Sequence, residues 1–281
     1  MIAMLLAGAC GTPEPDEPED RLGPLPSFGG EQIVLDPFPG IRIVSQRQSG
    51  DDPQSRWVVL VDPQVDGIGF TVTPDNGKTP LETDRQTGLE FLETSGAVVA
   101  VNAHFFSPWP AASDEPADLL GLAVSDGVVV SNFESRFNVA FALAADGRAA
   151  VIDGDSKVPF PIDDAVGAME VILAEGKNVG TWKERHPRTA IGKKANGVVV
   201  LAVADGRQPD VANGLTTPEL ADWLLTFGVT DAINLDGGGS TTLVINDGQP
   251  RALNVPVGYL LPGTLRHNGS FIGIRINDRA R

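Results

Sequence analysis

The sequence predicts an α+β fold, a single domain with a strongly twisted, mostly antiparallel or mixed β-sheet flanked by two main helices. Short apolar or alternating runs recur along the chain, and turn residues separate them. Glycine and proline are abundant, at 32 and 22 residues. Only two segments carry apolar side chains at helical spacing. Since we find neither an internal repeat nor a second linker, residues 31–281 are predicted to form one domain.

The predicted strands are short, and Asp-Gly pairs, which favour hairpin turns, lie between neighbouring runs. Such pairs occur at Asp126-Gly127, Asp146-Gly147 and Asp247-Gly248. The runs predicted to be strands cover residues 41–44, 57–61, 68–72, 97–101, 122–124, 128–130, 139–143, 149–152, 198–203, 233–235, 243–245 and 271–276. Their number and spacing indicate that most of the domain is β-structure.

Two segments are predicted to be helices. The first covers residues 84–94, where leucines stand among polar residues, and it ends at Gly96. The second begins at Thr216 as a capping residue, with Pro218 in its first turn, and ends at Gly228. Threonine caps and first-turn prolines are both favoured at helix N-termini.

The first 30 residues differ in composition from the rest. Residues 1–9 form a short apolar run that ends at Cys10, an arrangement that resembles a bacterial lipoprotein signal. Residues 11–30 are rich in Pro, Glu and Asp and are predicted to form a disordered tether. We therefore expect a cell-envelope protein, secreted across the inner membrane and lipidated at Cys10. The alternative is a disordered N-terminus with an incidental cysteine.

Composition narrows the classes of partner and of metal site. The formal net charge of -16 argues against nucleic acid, because phosphate backbones are held by clustered Lys and Arg. One cysteine allows neither an intramolecular disulfide nor a multi-cysteine zinc site. Membrane contact is expected only through the lipid anchor, and nothing in the sequence indicates an oligomeric state.

The run from Asp236 through Gly237, Gly238 and Gly239 to Ser240 is the strongest local signal for a functional site. Three consecutive glycines contribute no packing and lose much backbone entropy on folding, so positive φ angles or a close backbone approach would explain them. Successive N–H groups in such a turn form a nest that attracts oxyanions. The alternative is a hairpin turn with a surface aspartate.

Three further segments place polar residues at the ends or starts of apolar runs. Asn102 and His104 follow the run 97–101, and Asp205 follows the run 198–203. Arg188 leads directly into an apolar stretch with Thr189, which would hold its stem and aim its guanidinium. Arginine recognises phosphate and carboxylate in a bidentate manner. Each segment taken alone also fits a structural role: an Asx turn, a packed histidine, a surface ion pair.

In order, the strings N-x-x-F-F, R-T-A-I-G, D-G-R, a helix and N-L-D-G-G-G-S-T-T resemble the phosphodiester glycosidase family. The resemblance extends from about residue 57 to the C-terminus. It implies an enzyme that cleaves the glycosidic C1–O bond of a sugar joined through phosphate to a second group. His104 departs from the small residues usual at its position, which leaves the fit of the substrate open.

The resemblance also implies roles for the residues. Asp236 faces the anomeric carbon, Asp205 is the second candidate carboxylate, and Glu170 is a weaker third. Arg188 and the N–H groups from Gly237 to Ser240 hold the phosphate. The residues assigned to substrate binding are Asn102, His104, Thr189, Gly237, Gly238, Gly239 and Ser240. No cofactor or metal is expected, although Asp205 with Asp236 would allow a divalent cation such as calcium.

Two other functions remain open at this point. A non-catalytic surface lipoprotein could bind phosphate-containing glycans in the same cleft. A phosphodiesterase that cuts the P–O bond would normally require a two-metal cluster. The three histidines of this chain do not favour such a cluster.

Overall fold

A computed structural model describes residues 20–108 and 115–277; Cys10 and the predicted signal segment lie outside these ranges. Within them, every pairing between named strands is antiparallel. The first strands are β1 (Glu31–Phe38), β2 (Ile41–Gln48), β3 (Gln54–Val61), β4 (Ile68–Val72), β5 (Thr83–Asp84), β6 (Val99–Asn102), β7 (Phe105–Ser107), β8 (Pro116–Leu120), β9 (Ala123–Ser125), β10 (Val128–Ser131) and β11 (Val139–Leu143). The others are β12 (Ala149–Asp153), β13 (Asp164–Ala168), β14 (Glu170–Ala174), β15 (Lys177–Asn178), β16 (Arg188–Lys194), β17 (Val199–Ala204), β18 (Val229–Asn234), β19 (Leu243–Asn246), β20 (Pro250–Ala252) and β21 (Phe271–Ile276).

The predicted α+β class with mostly antiparallel strands is confirmed, and the described strands form four sheets. The largest has eight strands in the order β1-β2-β3-β17-β16-β18-β14-β15. Two five-stranded sheets have the orders β10-β9-β13-β11-β12 and β20-β19-β6-β21-β4, and β5-β8-β7 form a small fourth sheet. Division into several sheets lets the twisted strands bury both of their faces.

The eight-stranded sheet has two buried faces because its central strands are apolar on both sides. In β3, Trp57, Val59 and Val61 face the core shared with the five-stranded sheets, whereas Val58 and Leu60 face the opposite layer. This alternation follows from the two-residue period of a strand. The opposite layer is the helix α2 (Thr217–Thr226).

The second predicted helix is confirmed, and the first begins later than predicted. In α2, Thr216 caps the N-terminus and forms a capping box with Glu219. The first helix, α1, covers Gly88–Ser95 instead of starting at residue 84, because Thr87 and Glu90 form its capping box. Asp84 belongs to β5, so tertiary pairing overrides the weak helical pattern before Thr87.

The C-terminal part of the predicted tether packs against the domain. Leu22 is buried in the layer that contains α2, and Leu25 packs at its edge. The Leu22 carbonyl accepts a hydrogen bond from Lys194 Nζ at 2.6 Å. The composition of residues 11–30 predicts disorder, but Leu22 and Leu25 bury enough apolar surface to hold this part of the segment against the domain.

Replacing Leu22 with alanine tests this docking. Leu22→Ala shortens a buried side chain to a methyl group, and we expect a loss of about 2 kcal/mol in the free energy of unfolding. Urea denaturation followed by tryptophan fluorescence measures it. The control is Leu35→Ala on β1, where the leucine is 42% exposed. Equal, small effects of both changes would show that the segment contributes nothing to stability.

Candidate active site

A cavity of about 330 Å³ opens where strands of the eight-stranded sheet meet the segment that follows β6. In the sheet, β16 pairs with both β17 and β18 in an antiparallel manner. The start of β16 at Arg188 therefore lies at the same edge as the ends of β17 and β18. The cavity is lined by Phe105, Phe106, Leu120, Trp182, His186, Arg188, Arg207, Asp236, Gly237, Gly238, Gly239 and Arg266.

The backbone of Asp236 is held at both of its polar groups. Its N–H donates to the Ala103 carbonyl at 3.0 Å. Its carbonyl accepts from Asn102 Nδ2 at 2.6 Å. The turn that follows β18 is thus tied to the end of β6 in a different sheet, and the carboxylate is aimed from a fixed backbone.

Asn102 and Thr189, predicted to bind substrate, lie behind this turn. Asn102 Oδ1 accepts from Thr189 Oγ1 at 2.7 Å and from the Thr242 N–H at 3.0 Å. Both residues are buried, and neither lines the cavity. Because both polar atoms of the Asn102 amide are used inside the protein, the geometry gives Asn102 and Thr189 a role in positioning Asp236.

The Asp236 carboxylate faces the cavity, where burial acts on its pKa in one direction and its polar neighbours act in the other. It accepts from the Gly237 N–H at 2.9 Å and forms a hydrogen bond with the Ser240 side chain. Burial raises its pKa to about 6, although these hydrogen bonds and the charges of Arg266 and Arg207 act in the opposite direction. Asp236 is therefore ionised at neutral pH and becomes protonated under mildly acidic conditions.

The glycine run does not form the open nest that its sequence suggests. The Gly237 N–H donates a hydrogen bond to the Asp236 carboxylate. The Gly238 N–H donates to the Pro187 carbonyl at 2.9 Å, and the Ser240 N–H donates to Gly237 O at 3.2 Å. Three of the four N–H groups expected to hold phosphate are therefore engaged within the protein. The prediction that the nest binds phosphate does not fit this geometry.

The three glycines instead make room for close neighbours. A Cβ atom at Gly237 would lie 2.6 Å from the Pro187 carbonyl oxygen, and one at Gly239 would lie 2.1 Å from Arg266 Nη2. Gly238 has a φ of +63°, and a Cβ there would lie 3.0 Å from Arg207 Nη1. The absence of side chains thus allows two guanidinium groups to approach the backbone.

Arg188 is the third guanidinium of the cavity and the only one of the three predicted from the sequence. Its Nε donates to Leu215 O at 2.9 Å, and its Nη2 donates to Glu184 O at 2.7 Å. The Trp182 ring lies 5.6 Å from its guanidinium carbon. These contacts fix the buried side chain in the cavity wall, where a guanidinium group is chemically able to bind an anion.

The sequence interpretation missed Arg207 and Arg266. Arg207 ends the D-G-R string, so a signal for it was present, and its Nη2 lies 3.3 Å from His186 Nδ1. Arg266 lies 30 positions beyond Asp236 in a loop segment without a local pattern. Its Nη1 donates to Ser240 Oγ at 3.2 Å, which places Ser240 between Arg266 and the Asp236 carboxylate.

A family model described as phosphodiester glycosidase matches residues 95–274. The chain belongs to the phosphodiester glycosidase family. The matched range contains Asn102, Arg188, Asp236 and the two additional arginines, so the cavity is part of the family domain.

Relatives within the family include mammalian enzymes. The mouse N-acetylglucosamine-1-phosphodiester alpha-N-acetylglucosaminidase is 28% identical over 203 residues, which cover 63% of this chain and 37% of the mouse protein. The Bacillus subtilis SPbeta prophage-derived uncharacterized protein YomE is 28% identical over 179 residues, covering 58% of this chain and 26% of YomE. This chain therefore aligns with between a quarter and two fifths of the length of these relatives.

Among solved structures, the zebrafish catalytic domain of the same glucosaminidase, auto-inhibited by its pro-peptide, has a TM-score of 0.68 at 22% identity. The likeness covers 90% of this chain and 87% of the zebrafish chain. A hypothetical protein from Synechocystis has a TM-score of 0.67 at 14% identity, covering 89% of this chain and 64% of that chain. These similarities show a shared fold.

His104 is buried, and both of its ring nitrogens contact other groups of the protein. Its Nδ1 lies 2.7 Å from Ser270 Oγ, and its Nε2 lies 3.0 Å from Leu122 O and 2.9 Å from the Gly167 nitrogen. Burial lowers its pKa to about 4, so the ring is neutral at physiological pH. His104 does not line the cavity, so its position does not fit the substrate-binding role expected from the sequence.

Asp205 and Glu170 also lie outside the cavity lining. The Asp205 carboxylate accepts from Asn254 Nδ2 at 2.9 Å and from the Val255 N–H at 3.0 Å, and burial raises its pKa to about 6. Glu170 Oε1 accepts from the backbone and hydroxyl of Thr181 and from the Thr217 hydroxyl. Asp236 is thus the one carboxylate among the described residues that line the cavity.

The described ranges hold neither a cluster of metal ligands nor a helix able to span a membrane. Residues 20–108 and 115–277 contain no group of three His, Cys, Asp or Glu side chains suited to holding a metal ion. In the same ranges, neither helix has the length and apolar character needed to cross a bilayer.

A methyl group at Gly239 tests the contact between the glycine run and Arg266. Gly239→Ala would displace the guanidinium, because the new Cβ would overlap Nη2. We expect about tenfold or greater loss of affinity for inorganic phosphate, the effect of a lost hydrogen bond to a charged group. Isothermal titration calorimetry measures the change.

Gly69→Ala is the matched control, since a Cβ at Gly69 has no neighbour within 4 Å. Circular dichroism establishes that both variants fold. Unchanged phosphate affinity in folded Gly239→Ala would mean that Arg266 does not contribute to anion binding.

Proposed function

We propose that the protein hydrolyses the glycosidic C1–O bond of sugar 1-phosphodiesters. One observation carries the proposal. The cavity brings a carboxylate that is ionised at neutral pH, Asp236, together with three guanidinium groups, from Arg188, Arg207 and Arg266. An excess of positive charge beside a single carboxylate suits a substrate that contains phosphate next to a carbon that becomes electron-deficient.

The leaving group explains why one carboxylate is enough. Most glycosidases use a second carboxyl group to protonate a basic alkoxide as it departs. A phosphomonoester is a weak base, so its departure requires stabilisation of charge more than a proton. Guanidinium groups supply this stabilisation, because they are permanently charged and their N–H donors match phosphate oxygens.

Asp236 serves the sugar side of the bond. As the C1–O bond breaks, the bonding electron pair leaves with the phosphate oxygen, and the anomeric carbon gains positive charge. Asp236 either bonds to that carbon, giving an intermediate that water then hydrolyses, or takes the proton of a water molecule that attacks it directly. Both courses require the ionised carboxylate and give a free sugar and a phosphomonoester.

The relatives suggest the sugar. The name of the mouse enzyme specifies N-acetylglucosamine joined in the alpha configuration through a phosphodiester. On this basis we propose an alpha-linked N-acetylglucosaminyl or similar sugar for this chain. Trp182 in the cavity wall offers an apolar aromatic face to a sugar.

Loss of the carboxylate tests the proposal. Asp236→Asn keeps the shape of the side chain but removes its negative charge, and we expect kcat on an alpha-N-acetylglucosaminyl phosphodiester to fall by at least about a hundredfold. The control is Asp66→Asn, which changes an exposed aspartate. Near-normal turnover by folded Asp236→Asn would remove Asp236 from the mechanism.

Hydrolysis of the same substrate in ¹⁸O-labelled water identifies the broken bond. Label in the released sugar supports C1–O cleavage. Label in the phosphate would instead indicate a phosphodiesterase. Absence of product from every sugar 1-phosphodiester, with retained binding, would favour a glycan-binding protein without catalytic activity.

The dependence of the rate on pH provides a second test. The pKa of Asp236 is raised to about 6, and the active form is the ionised one. We therefore expect kcat/KM to increase with pH through about 6 and to level off above it, since kcat/KM reports the free enzyme. A profile that decreases through the same range would show that Asp236 acts as an acid.

A further inference from the structure

We propose that His186 is a further phosphate-binding residue of the cavity, which donates from Nε2 to a phosphate oxygen while its Nδ1 accepts from Arg207. This inference rests on the proposed function. Among the described residues, the other ionisable side chains that line the cavity are Arg188, Arg207, Asp236 and Arg266, and each has a part in the proposed hydrolysis. His186 lies among them, in the segment that leads into β16.

The backbone of His186 is held in place by close neighbours. Its N–H donates to Leu215 O at 3.2 Å, and its carbonyl accepts from the Leu215 N–H at 3.0 Å. A Cβ atom at Gly214 would lie 2.6 Å from the His186 carbonyl oxygen, and one at Gly206 would lie 3.0 Å from its carbonyl carbon. Leu215 O also accepts from Arg188 Nε, so the histidine and this guanidinium share one support. The ring therefore projects from a fixed backbone.

The contact with Arg207 fixes which ring nitrogen carries the proton. Arg207 Nη2 lies 3.3 Å from His186 Nδ1. A guanidinium group donates and never accepts, so Nδ1 must offer its lone pair. Burial and the charges of Arg207 and Arg188 lower the pKa of His186, with Glu184 acting in the opposite direction, so the ring is neutral at neutral pH. A neutral ring carries one proton, and this proton is therefore on Nε2.

The Nε2–H group of His186 has no acceptor within the described protein. Nδ1 forms the hydrogen bond with Arg207, and across residues 20–108 and 115–277 no hydrogen bond is formed by Nε2. The residue nevertheless lines the cavity and is only partly exposed to solvent. A donor that is partly removed from water and lacks a partner favours a ligand that brings acceptor oxygens.

Charge favours phosphate as that ligand. The His186 ring is bonded to one guanidinium group, and two more, from Arg188 and Arg266, line the same cavity. These charges would repel a cation at Nε2 and attract the oxygens of an anion. A neutral imidazole donates a hydrogen bond and keeps its proton, which suits a leaving phosphomonoester because that group is a weak base. His186 thus adds a fourth donor group to the three arginines.

Nuclear magnetic resonance of the wild-type protein tests the tautomer and the contact. Long-range ¹H–¹⁵N correlation spectra distinguish a protonated ring nitrogen from one with a free lone pair. Dimethyl phosphate is the probe, because it has the charge of a phosphodiester and does not titrate near neutral pH. We expect the Nε2–H form of His186 at neutral pH and a change of its Nε2 signal that saturates with dimethyl phosphate.

His104, which does not line the cavity, is the internal reference in the same spectra. The signals of His186 are identified by their loss in His186→Asn. The Nδ1–H form at neutral pH would overturn the proposal. So would an Nε2 signal that stays unchanged at saturating dimethyl phosphate, the result expected if the acceptor is a sugar hydroxyl.

Two amide variants separate donation to phosphate from support of Arg207. In His186→Asn, the side-chain oxygen can replace Nδ1 as the acceptor for Arg207, but no donor remains near Nε2. In His186→Gln, the side-chain nitrogen can replace Nε2 as the donor, but the acceptor for Arg207 is lost. Isothermal titration calorimetry gives Kd for dimethyl phosphate, and circular dichroism establishes that both variants fold.

We expect His186→Asn to bind dimethyl phosphate about tenfold more weakly than the wild-type protein, the effect of a lost hydrogen bond to a charged group, and His186→Gln to lose less. The reverse order would show that His186 acts only through Arg207 and would contradict the proposal. Wild-type affinity in both variants would contradict it as well.

The hydrolysis assay separates this inference from the proposed function. A response of His186 Nε2 to dimethyl phosphate, without hydrolysis of any sugar 1-phosphodiester, would contradict the enzymatic function and leave the phosphate contact supported. Hydrolysis by a protein whose Nε2 signal does not respond would support the function and contradict the phosphate contact.

Discussion

The side-chain amide of Asn102 is the interaction on which the site depends. Its Nδ2 holds the Asp236 carbonyl, and its Oδ1 accepts from Thr189 Oγ1 and the Thr242 N–H. One side chain thereby joins the end of β6, the strand β16 and both ends of the glycine turn. An amide can do this because it combines two donors with an acceptor that has two lone pairs. A buried carboxylate could not donate, and an apolar residue would leave three backbone or hydroxyl groups unpaired.

The fixed turn determines where the charges lie. Asp236 projects from it into the cavity, and the glycines that follow leave space for Arg207 and Arg266. Several ionised groups in a partly buried cavity repel or attract one another strongly, because little water screens them. The Ser240 hydroxyl, between Arg266 and the Asp236 carboxylate, and the backbone bonds of Arg188 hold these groups apart in defined positions. Such preorganisation is what stabilisation of a developing phosphate charge requires.

Asp205 and His104 illustrate how a polar residue near a site can support it from behind. Asp205 connects the end of β17 with the segment that follows β20, and His104 connects Ser270 with Leu122 and Gly167. Both side chains are buried. Burial raises the pKa of Asp205 and lowers the pKa of His104, and in each case this favours the neutral form. Hydrogen bonds within the protein compensate for this burial, as buried polar groups require.

The sequence by itself determined what depends on local chemistry. Short apolar runs such as residues 57–61 and the Asp-Gly turns identified strands, and the Thr216 cap identified α2. Asp236 with its glycines and Arg188 singled out residues that line the cavity. Tertiary structure decided the rest. Arg266 enters the cavity from a loop without any sequence pattern, since its position depends on residues 258–266 packing against the glycine run. The glycines leave space for two guanidinium groups instead of forming an open phosphate nest. Asn102, Thr189 and His104 point into the protein, because pairing between distant strands fixes which side each residue faces.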